Sequence, residues 1–203
     1  MAETAGGEKF MVPMIIAMKG HPGTGKTTLA RSLASSLKIP LIDKDDVRDC
    51  TFFLQNSPSV PTELLNDLSY HVVWQIASTQ LHLGLSVIID SPLSRRSHLD
   101  QLIHLASSAA ARLVIVECKP LDEDQWRRRL EQRGAGDEAS WHKPSTWQDL
   151  ERLIEGYGGC TDYDVGDVPK LVVDTTAEVG VKELVSGVVQ FIASHAHVES
   201  YSK

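Results

Sequence analysis

The chain has 203 residues, a formal net charge of −7 and a sequence pI near 5.6. This acidic balance argues against broad binding to nucleic acids or to anionic membranes, although a local basic cleft is compatible with it. The cysteines Cys50, Cys118 and Cys160 form neither a metal-binding pattern nor a disulfide framework, which favours a reducing compartment.

The content of hydrophobic residues is 42% and that of charged residues 23%, as in an ordinary globular domain. We therefore expect a single domain over residues 10–203, preceded by a flexible tail at residues 1–9. No apolar run approaches the length of a transmembrane helix, and the tail lacks the apolar core of a signal peptide. The cytoplasm is the expected location, with an organelle left open.

A glycine-rich loop follows the first predicted strand. The strand runs from Met14 to Met18, and the loop is Gly20-His21-Pro22-Gly23-Thr24-Gly25-Lys26-Thr27. Leu29, Leu33 and Leu37 then recur every four residues, which predicts an amphipathic helix. The pattern Gly-x-x-x-x-Gly-Lys-Thr between a strand and a helix predicts a phosphate-binding P-loop.

The chemistry of this loop suits a nucleoside triphosphate. Its backbone N–H groups and the helix dipole favour phosphate oxygens, Lys26 adds a full positive charge, and the Thr27 hydroxyl can coordinate Mg²⁺. The alternative is a glycine-rich turn with an incidental Lys-Thr pair. We expect the loop to bind ATP and Mg²⁺ through Gly20, His21, Pro22, Gly23, Thr24, Gly25, Lys26, Thr27 and Thr28.

Strands and helices are predicted to alternate along the rest of the chain. A helix with Leu65, Leu68, Val72 and Ile76 on one face follows a loop at residues 50–61. The alternation predicts an α/β fold with a five-stranded parallel sheet and helices on both faces. Ligands of such sheets bind beyond the carboxyl ends of the strands. The other predicted strands cover residues 39–43, 85–90, 113–116 and 170–174, and the other helices cover regions near 99–106, 122–133, 150–157 and 184–192.

Acidic residues stand at or just past the predicted strand ends, namely Asp43, Asp45, Asp90, Glu117 and Asp174. A kinase needs a carboxylate near the γ-phosphate to accept a proton or orient Mg²⁺, and a cation to hold a polar acceptor. Asp45 and Arg48 are three residues apart and would share a helical face. The alternative is that Asp45 or Asp46 merely caps a short helix.

Asp90 closes an apolar strand, a pattern that places a carboxylate near the Mg²⁺ hydration shell beside Thr27. The alternative for Asp90 is a turn or helix cap. A solvated surface position is favoured for Arg95 and Arg96, whereas Glu117 is a candidate for shaping an acceptor pocket.

A basic helix leads into a polar, aperiodic stretch, which together predict a lid over about residues 127–148. Arg129 and Arg133 align at four-residue spacing, with Trp126 and Leu130 as the buried stripe. Closure of a lid excludes water and brings positive charge to a transferring phosphoryl group. The alternative is a helix that is basic only because it is exposed. A solvated loop position is favoured for the lid's His142 and Lys143.

These segments together resemble the P-loop kinases of small molecules, in particular zeta-toxin-like and polynucleotide-kinase-like domains and adenylylsulfate kinases. The resemblance covers about residues 12–195 and implies a three-layer P-loop NTPase fold with a small lid. It implies that Asp45 acts near the acceptor hydroxyl and that Arg48 holds the acceptor. It also implies that Arg127, Arg129 or Arg133 contacts the phosphates and that Asp174 lies near the nucleotide base.

The expected function is therefore an ATP-dependent kinase that transfers the γ-phosphoryl group to a small-molecule, nucleoside or nucleotide hydroxyl. One alternative is a P-loop NTPase that acts as a nucleotide-driven switch or hydrolase with a protein partner. A second is a scaffold module that has lost turnover, against which the intact Lys26-Thr27 pair argues. Residues 49–61 match no acceptor-binding pattern, so the acceptor stays open, as does the oligomeric state.

Overall fold

The computed structural model describes residues 12–55, 57, 59–135 and 142–196. The predicted tail at residues 1–9 lies outside the described residues, as does part of the predicted lid, residues 136–141.

Strands and helices alternate along the described chain, as the sequence predicts. The five strands are β1 (Met14–Lys19), β2 (Leu41–Asp43), β3 (Val87–Asp90), β4 (Arg112–Cys118) and β5 (Lys170–Val173). The seven α-helices are α1 (Lys26–Leu37), α2 (Lys44–Asp49), α3 (Thr62–His82), α4 (Arg96–Ser108), α5 (Glu123–Ala135), α6 (Trp147–Gly156) and α7 (Val181–Ala196). A 3₁₀ turn at Phe52–Leu54 lies within the segment that was expected to be a loop.

All neighbouring strands pair in parallel, in the order β2-β3-β1-β4-β5. The predicted α/β fold with a five-stranded parallel sheet is thereby confirmed. Because β1 is central and runs into α1, the loop between them lies at the middle of the carboxyl edge. Within the described part of the chain, no helix has the length and apolar character needed to cross a membrane.

Two hydrophobic cores cover the two faces of the sheet. On one face, Ile16 and Met18 of β1 pack in a cluster with residues of α1 and α7. On the other face, Ile15 and Ala17 pack in a cluster with residues of α3 and α4. Alternate residues of β1 therefore serve opposite cores, which explains why the strand is apolar from Met14 to Met18.

The buried face of α3 differs from the predicted one. Leu68 and Ile76 are 44% and 40% exposed, so their assignment to the apolar face was wrong. The helix buries Leu65 as predicted, together with Ser69, Tyr70, Val73, Ala77 and Leu81. Small and polar residues on the buried face hide its periodicity, while leucine and isoleucine on the exposed face imitate it.

Candidate active site

The P-loop joins β1 to α1 and has the glycine conformations that its pattern requires. Gly23 and Gly25 have φ values of 79° and 81°, in the left-handed region that glycine tolerates. A Cβ at Gly20 would lie 2.7 Å from the backbone oxygen of Cys118 on β4, closer than a methyl group can pack. The loop therefore lies directly against the carboxyl end of β4.

Contacts from two other segments hold the backbone of the loop. The indole Nε1 of Trp126 on α5 donates to the carbonyl of Pro22 at 2.9 Å. The hydroxyl of Thr175, just after β5, donates to the carbonyl of Thr24 at 2.6 Å. Arg129 of α5 in turn donates to the carbonyl of Thr175 at 2.8 Å. Helix α5 and residues 174–176 just after β5, which we call the β5 corner, therefore brace the loop together.

Lys26 and Asp90 form an ion pair at the centre of the site. The Lys26 Nζ lies 2.8 Å from the Asp90 Oδ1, and the Asp90 side chain is 1% exposed. Burial alone would lower the pKa of Lys26, but Asp90 outweighs it, with help from Asp45 and Asp43, so that the pKa is raised. The loop lysine is therefore held charged.

Asp43 lies beside Asp90, because the two residues are register partners at the ends of β2 and β3. Burial, followed by the charge of Asp90, raises the pKa of Asp43 to about 6. Its Oδ1 accepts a hydrogen bond from the backbone N–H of Asp45 at 2.9 Å, which caps α2. The cap of α2 is therefore Asp43, and neither Asp45 nor Asp46 fills that position.

Asp45 is surrounded by cations from its own helix and from the segment after residue 141. Its carboxylate lies 2.8 Å from the Lys143 Nζ, 3.2 Å from the His142 Nε2 and 3.4 Å from the Lys44 Nζ. Burial alone would raise the pKa of Asp45, but the bond to His142 and the charges of Lys44 and Lys143 outweigh it. The pKa is therefore well below its usual range.

The expectation that His142 and Lys143 are solvated loop residues was wrong. The His142 side chain is 10% exposed, and its Nδ1 also lies 3.2 Å from Asp49 of α2. The sequence signal that could have revealed this is a histidine and a lysine within a predicted lid, opposite a helix with three aspartates. Residues before α6 and residues of α2 therefore meet across the carboxyl edge.

Arg48 is buried rather than directed to solvent, with 2% exposure. Its Nη1 donates to the Thr51 hydroxyl at 2.7 Å, and that hydroxyl donates back to the Arg48 carbonyl at 2.7 Å. Asp45, by contrast, is only partly buried. The pair of bonds between Arg48 and Thr51 fixes the end of α2.

Three arginines of α5, Arg127, Arg129 and Arg133, contact protein groups. Arg133 donates to the carbonyl of Pro144 at 3.3 Å, and the guanidinium of Arg127 lies 4.8 Å from the ring centroid of Trp147. Together with the contact of Arg129 described above, these interactions join α5 to the β5 corner and to the segment leading into α6.

Asp174 and Glu117 organise the far side of the sheet edge. Asp174 accepts from the backbone N–H groups of Leu121 and Thr176 and from the Thr176 hydroxyl, and these bonds outweigh burial and lower its pKa. Glu117 of β4 forms ion pairs with Lys19 of β1 and, at 3.1 Å, with Lys170 of β5. Both carboxylates therefore have defined partners close to the P-loop.

A P-loop braced at the carboxyl edge of a parallel sheet, with a lysine–aspartate pair beside it, defines the class of P-loop nucleotide-binding α/β proteins. The AAA domain family AAA_33 matches residues 15–156. The chain belongs to this family. No curated protein sequence matches it significantly.

Solved structures of kinases resemble the chain over nearly its whole length. A candidate kinase from Chloroflexus aurantiacus J-10-fl is 26% identical with a TM-score of 0.69, over 90% of this chain and 97% of that one. The APS kinase CysC of Mycobacterium tuberculosis, solved with AMPPNP and APS, is 13% identical with a TM-score of 0.55, over 90% and 98%. The resemblance to P-loop kinases is thereby confirmed.

The protein Kti12 shares the fold as well. Kti12 of Chaetomium thermophilum, solved with ADP-AlF3, is 19% identical with a TM-score of 0.59, over 88% of this chain and 98% of that one. At such identities the likeness to Kti12 and to the APS kinase establishes the fold alone. The reaction of this chain depends on the residues of its own site.

Proposed function

We propose that this protein is an ATP-dependent kinase that transfers the γ-phosphoryl group to a hydroxyl of a small molecule. The observation that carries the proposal is the position of Asp45. It belongs to the helix that follows Asp43, the register partner of Asp90, and Asp90 pairs with Lys26. A carboxylate beside the phosphate-binding loop is what an acceptor hydroxyl requires.

In the proposed reaction, the bond between the γ-phosphorus and the oxygen that bridges it to the β-phosphate breaks, and ADP leaves. A new bond forms between the γ-phosphorus and the acceptor oxygen, whose proton passes to Asp45 and then to solvent. The transition state of phosphoryl transfer is loose, so that positioning and charge matter more than a strong base. A carboxylate held ionised by Lys44, His142 and Lys143 suits that role.

The Thr27 hydroxyl and the Asp90 carboxylate would hold Mg²⁺, directly or through its water. Both are hard oxygen donors, and Mg²⁺ in kinases is bound by one or two such groups together with the substrate phosphates. The fit is supported by Asp90, whose two buried oxygens have no hydrogen-bond partner among the described residues beyond the ion pair with Lys26. Bound Mg²⁺ would neutralise charge on the phosphates.

The other residues around the P-loop and α2 would bind the nucleotide or position the acceptor. The backbone of residues 20–28 would cradle the phosphates, and Asp174 would lie near the nucleotide base through its contacts at the β5 corner. Arg129 and Arg133 would exchange carbonyl partners for phosphate oxygens, which a guanidinium binds more strongly. Arg48, bonded to Thr51, would fix the acceptor side of α2.

The three cysteines are free thiols, which supports a reducing compartment, and we propose the cytoplasm. The chain tagged at its carboxyl terminus and imaged in its native cells tests this location. A signal confined to a secretory compartment would contradict it.

A second candidate function is a nucleotide-driven switch or hydrolase that works with a protein partner. The observation that favours it is the bracing of the P-loop by Trp126 and Thr175, because such contacts couple the loop to α5 and the β5 corner. The shared fold of Kti12 is compatible with this alternative.

The decisive experiment measures ADP release with and without a panel of hydroxyl acceptors, including polyols, sugar acids and nucleosides. Acceptor-dependent ADP release, lost in Lys26→Ala and reduced in Asp45→Asn, supports the kinase. Asp46→Asn is the matched control, since Asp46 lies next to Asp45 on α2 but is exposed. Steady ADP release without an acceptor, stimulated by a protein partner, would favour the switch.

A further inference from the structure

A cavity of about 270 Å³ lies between α3 and α4, on the side of the sheet that carries Asp45. Its walls include the rings of Tyr70 and Trp74 on α3 and of His98 on α4, and its lining also includes Asp67, Arg95 and Gln101. We call it the ring cavity. Its volume suits one small ring system rather than a whole nucleoside triphosphate.

The three rings of the ring cavity form one aromatic cluster. The centroids of Tyr70 and His98 are 3.9 Å apart, and those of Trp74 lie 5.7 Å from Tyr70 and 6.1 Å from His98. His98 is 8% exposed, and its Nδ1 has no hydrogen-bond partner among the described residues. A buried imidazole nitrogen without a partner is costly unless a ligand or a bound water satisfies it.

The walls of the ring cavity are uncharged at neutral pH, whereas other lining residues carry charges. Burial, with the nearby charge of Arg95, lowers the pKa of His98 to about 4. Asp67, Arg95 and Gln101 are exposed, and Arg95 forms no ion pair within the part of the chain that the structure describes. The lining therefore offers an acceptor, a donor and an amide around flat apolar walls.

The ring cavity is two contacts away from the proposed acceptor carboxylate. The Lys44 Nζ lies 5.5 Å from the ring centroid of Tyr70 and 3.4 Å from the Asp45 Oδ1. Lys44 therefore links one wall of the ring cavity, the ring of Tyr70, to the carboxylate of Asp45. In this arrangement the ring of the acceptor would occupy the ring cavity, and the nucleotide would occupy the P-loop.

We propose that the ring cavity binds a planar nitrogen heterocycle of the nucleoside type, whose sugar hydroxyl is the phosphoryl acceptor at Asp45. This assignment rests on the proposed kinase function. A ring with N–H donors and ring acceptors stacks on aromatic walls and pairs with Asp67, Arg95 and Gln101. A polyol or sugar acid lacks the flat ring face that would cover the aromatic walls.

Binding is measured apart from turnover. Equilibrium dialysis with radiolabelled adenosine, guanosine, cytidine and uridine, in the presence of a non-hydrolysable ATP analogue, gives a dissociation constant for each nucleoside. Labelled ribitol and gluconate provide the comparison with ligands that lack a heterocycle. We expect at least one nucleoside to bind more than tenfold more tightly than either of them.

The test variant is Trp74→Leu, and the matched control is Ile76→Ala on the exposed face of the same helix. Because stacking of a base on an aromatic side chain contributes substantially, Trp74→Leu should weaken nucleoside binding about tenfold or more. Ile76→Ala should leave it unchanged, and both variants should bind the ATP analogue as the parent does.

Trp74 packs partly against the core, so that its loss can impair folding. If Trp74→Leu loses its cooperative thermal transition, the exposed variants Arg95→Gln and Gln101→Ala carry the test. Each should weaken nucleoside binding by roughly two- to tenfold, as expected for one lost hydrogen bond.

The outcomes separate the two proposals. Absence of nucleoside binding, or binding that these variants leave unchanged, overturns the ring cavity, even where a sugar acid is phosphorylated and the kinase stands. Binding that depends on Trp74 but never produces ADP supports the ring cavity and overturns the kinase.

Discussion

The donor side and the acceptor side of the candidate site are held in different ways. The donor side is the P-loop, whose backbone carbonyl groups accept hydrogen bonds from the side chains of Trp126 and Thr175. On the acceptor side, the carboxylate of Asp45 is held by the side chains of His142 and Lys143.

This difference explains which side of the site can be predicted from the sequence. A backbone cradle needs glycines and one Lys-Thr pair, and that requirement is written as a short pattern in the chain. A cluster of charged side chains depends on residues that the fold brings together, such as Asp45 and Lys143. The donor side is therefore evident in the sequence as a motif, whereas the acceptor side becomes evident only in three dimensions.

The largest effect is expected from Lys26→Met, which breaks the donor side. ADP release should fall at least about 100-fold, because the charge aimed at the phosphates is lost. The free energy of unfolding should fall by about 3 kcal/mol, since Asp90 stays buried without its cation. Kinetic assays and chemical denaturation measure the two effects, with exposed Lys182→Met as the control.

The double variant Lys26→Met/Asp90→Asn tests whether the unpaired charge of Asp90 causes the loss of stability. It should recover most of the lost free energy of unfolding without recovering activity, because no uncompensated charge remains. Equal destabilisation in the single and the double variant would contradict the role assigned to the pair.

Asp45→Asn tests the acceptor side in the same assays. We expect the rate of acceptor phosphorylation to fall about 100-fold, as for other groups that handle a proton, with nucleotide binding unchanged. Hydrogen exchange in residues 142–146 should become faster, because Lys143 loses its partner. A rate like that of the exposed control Asp46→Asn would remove Asp45 from the mechanism.

Asp43, at the start of the acceptor side, is expected to make the free energy of unfolding depend on pH. Its pKa is raised to about 6 from 3.8, so between these values the folded protein binds more protons than the unfolded one. The contribution of Asp43 to the free energy of unfolding should therefore fall as pH rises from about 4 to about 6, by on the order of 2 kcal/mol, whereas the lowered pKa of His98 acts in the opposite direction.

Asp43→Asn should remove this contribution and leave that of His98, since asparagine keeps the helix cap without titrating. Denaturation of both proteins at pH 4, 5, 6 and 7 measures the difference. Identical pH profiles would show that Asp43 titrates normally.

Gly134→Ala is expected to change the stability of the protein without removing a group of the candidate site. A Cβ at this position would lie 2.3 Å from the backbone oxygen of Ser145, so the segment before α6 must shift, at a cost of about 1–3 kcal/mol. Gly187→Ala on α7 is the matched control, because its Cβ meets nothing within 4 Å and alanine favours a helix. Melting temperatures report both changes, and equal shifts would contradict the close approach.

The sequence predicted the fold and the donor side because each depends on local patterns. Apolar strands ending in acids and the glycine-rich loop require no knowledge of distant contacts. The buried face of α3 was missed because Ala77 and Ser69 are buried while Leu68 and Ile76 are exposed.

The rest of the site depends on contacts that no pattern in the chain records. Asp45 and His142 are 97 positions apart, and nothing near either residue identifies the other as its partner. Tyr70 and Trp74 are spaced like any aromatic pair on a helix, and only the packing of α3 against α4 adds His98. The roles given to Asp45, Arg48, Arg129, Arg133 and Asp174 stay predictions, as do those of the P-loop residues and Asp90 in binding ATP and Mg²⁺.

Helix α5 touches both sides of the site. Near its beginning, Trp126 bonds to Pro22 of the P-loop, and near its end, Gly134 lies against Ser145, two residues from Lys143. A helix of 13 residues is a stiff rod of about 20 Å. A displacement of the loop on nucleotide binding is therefore expected to move the far end of the rod, so that the acceptor side senses whether the donor is present.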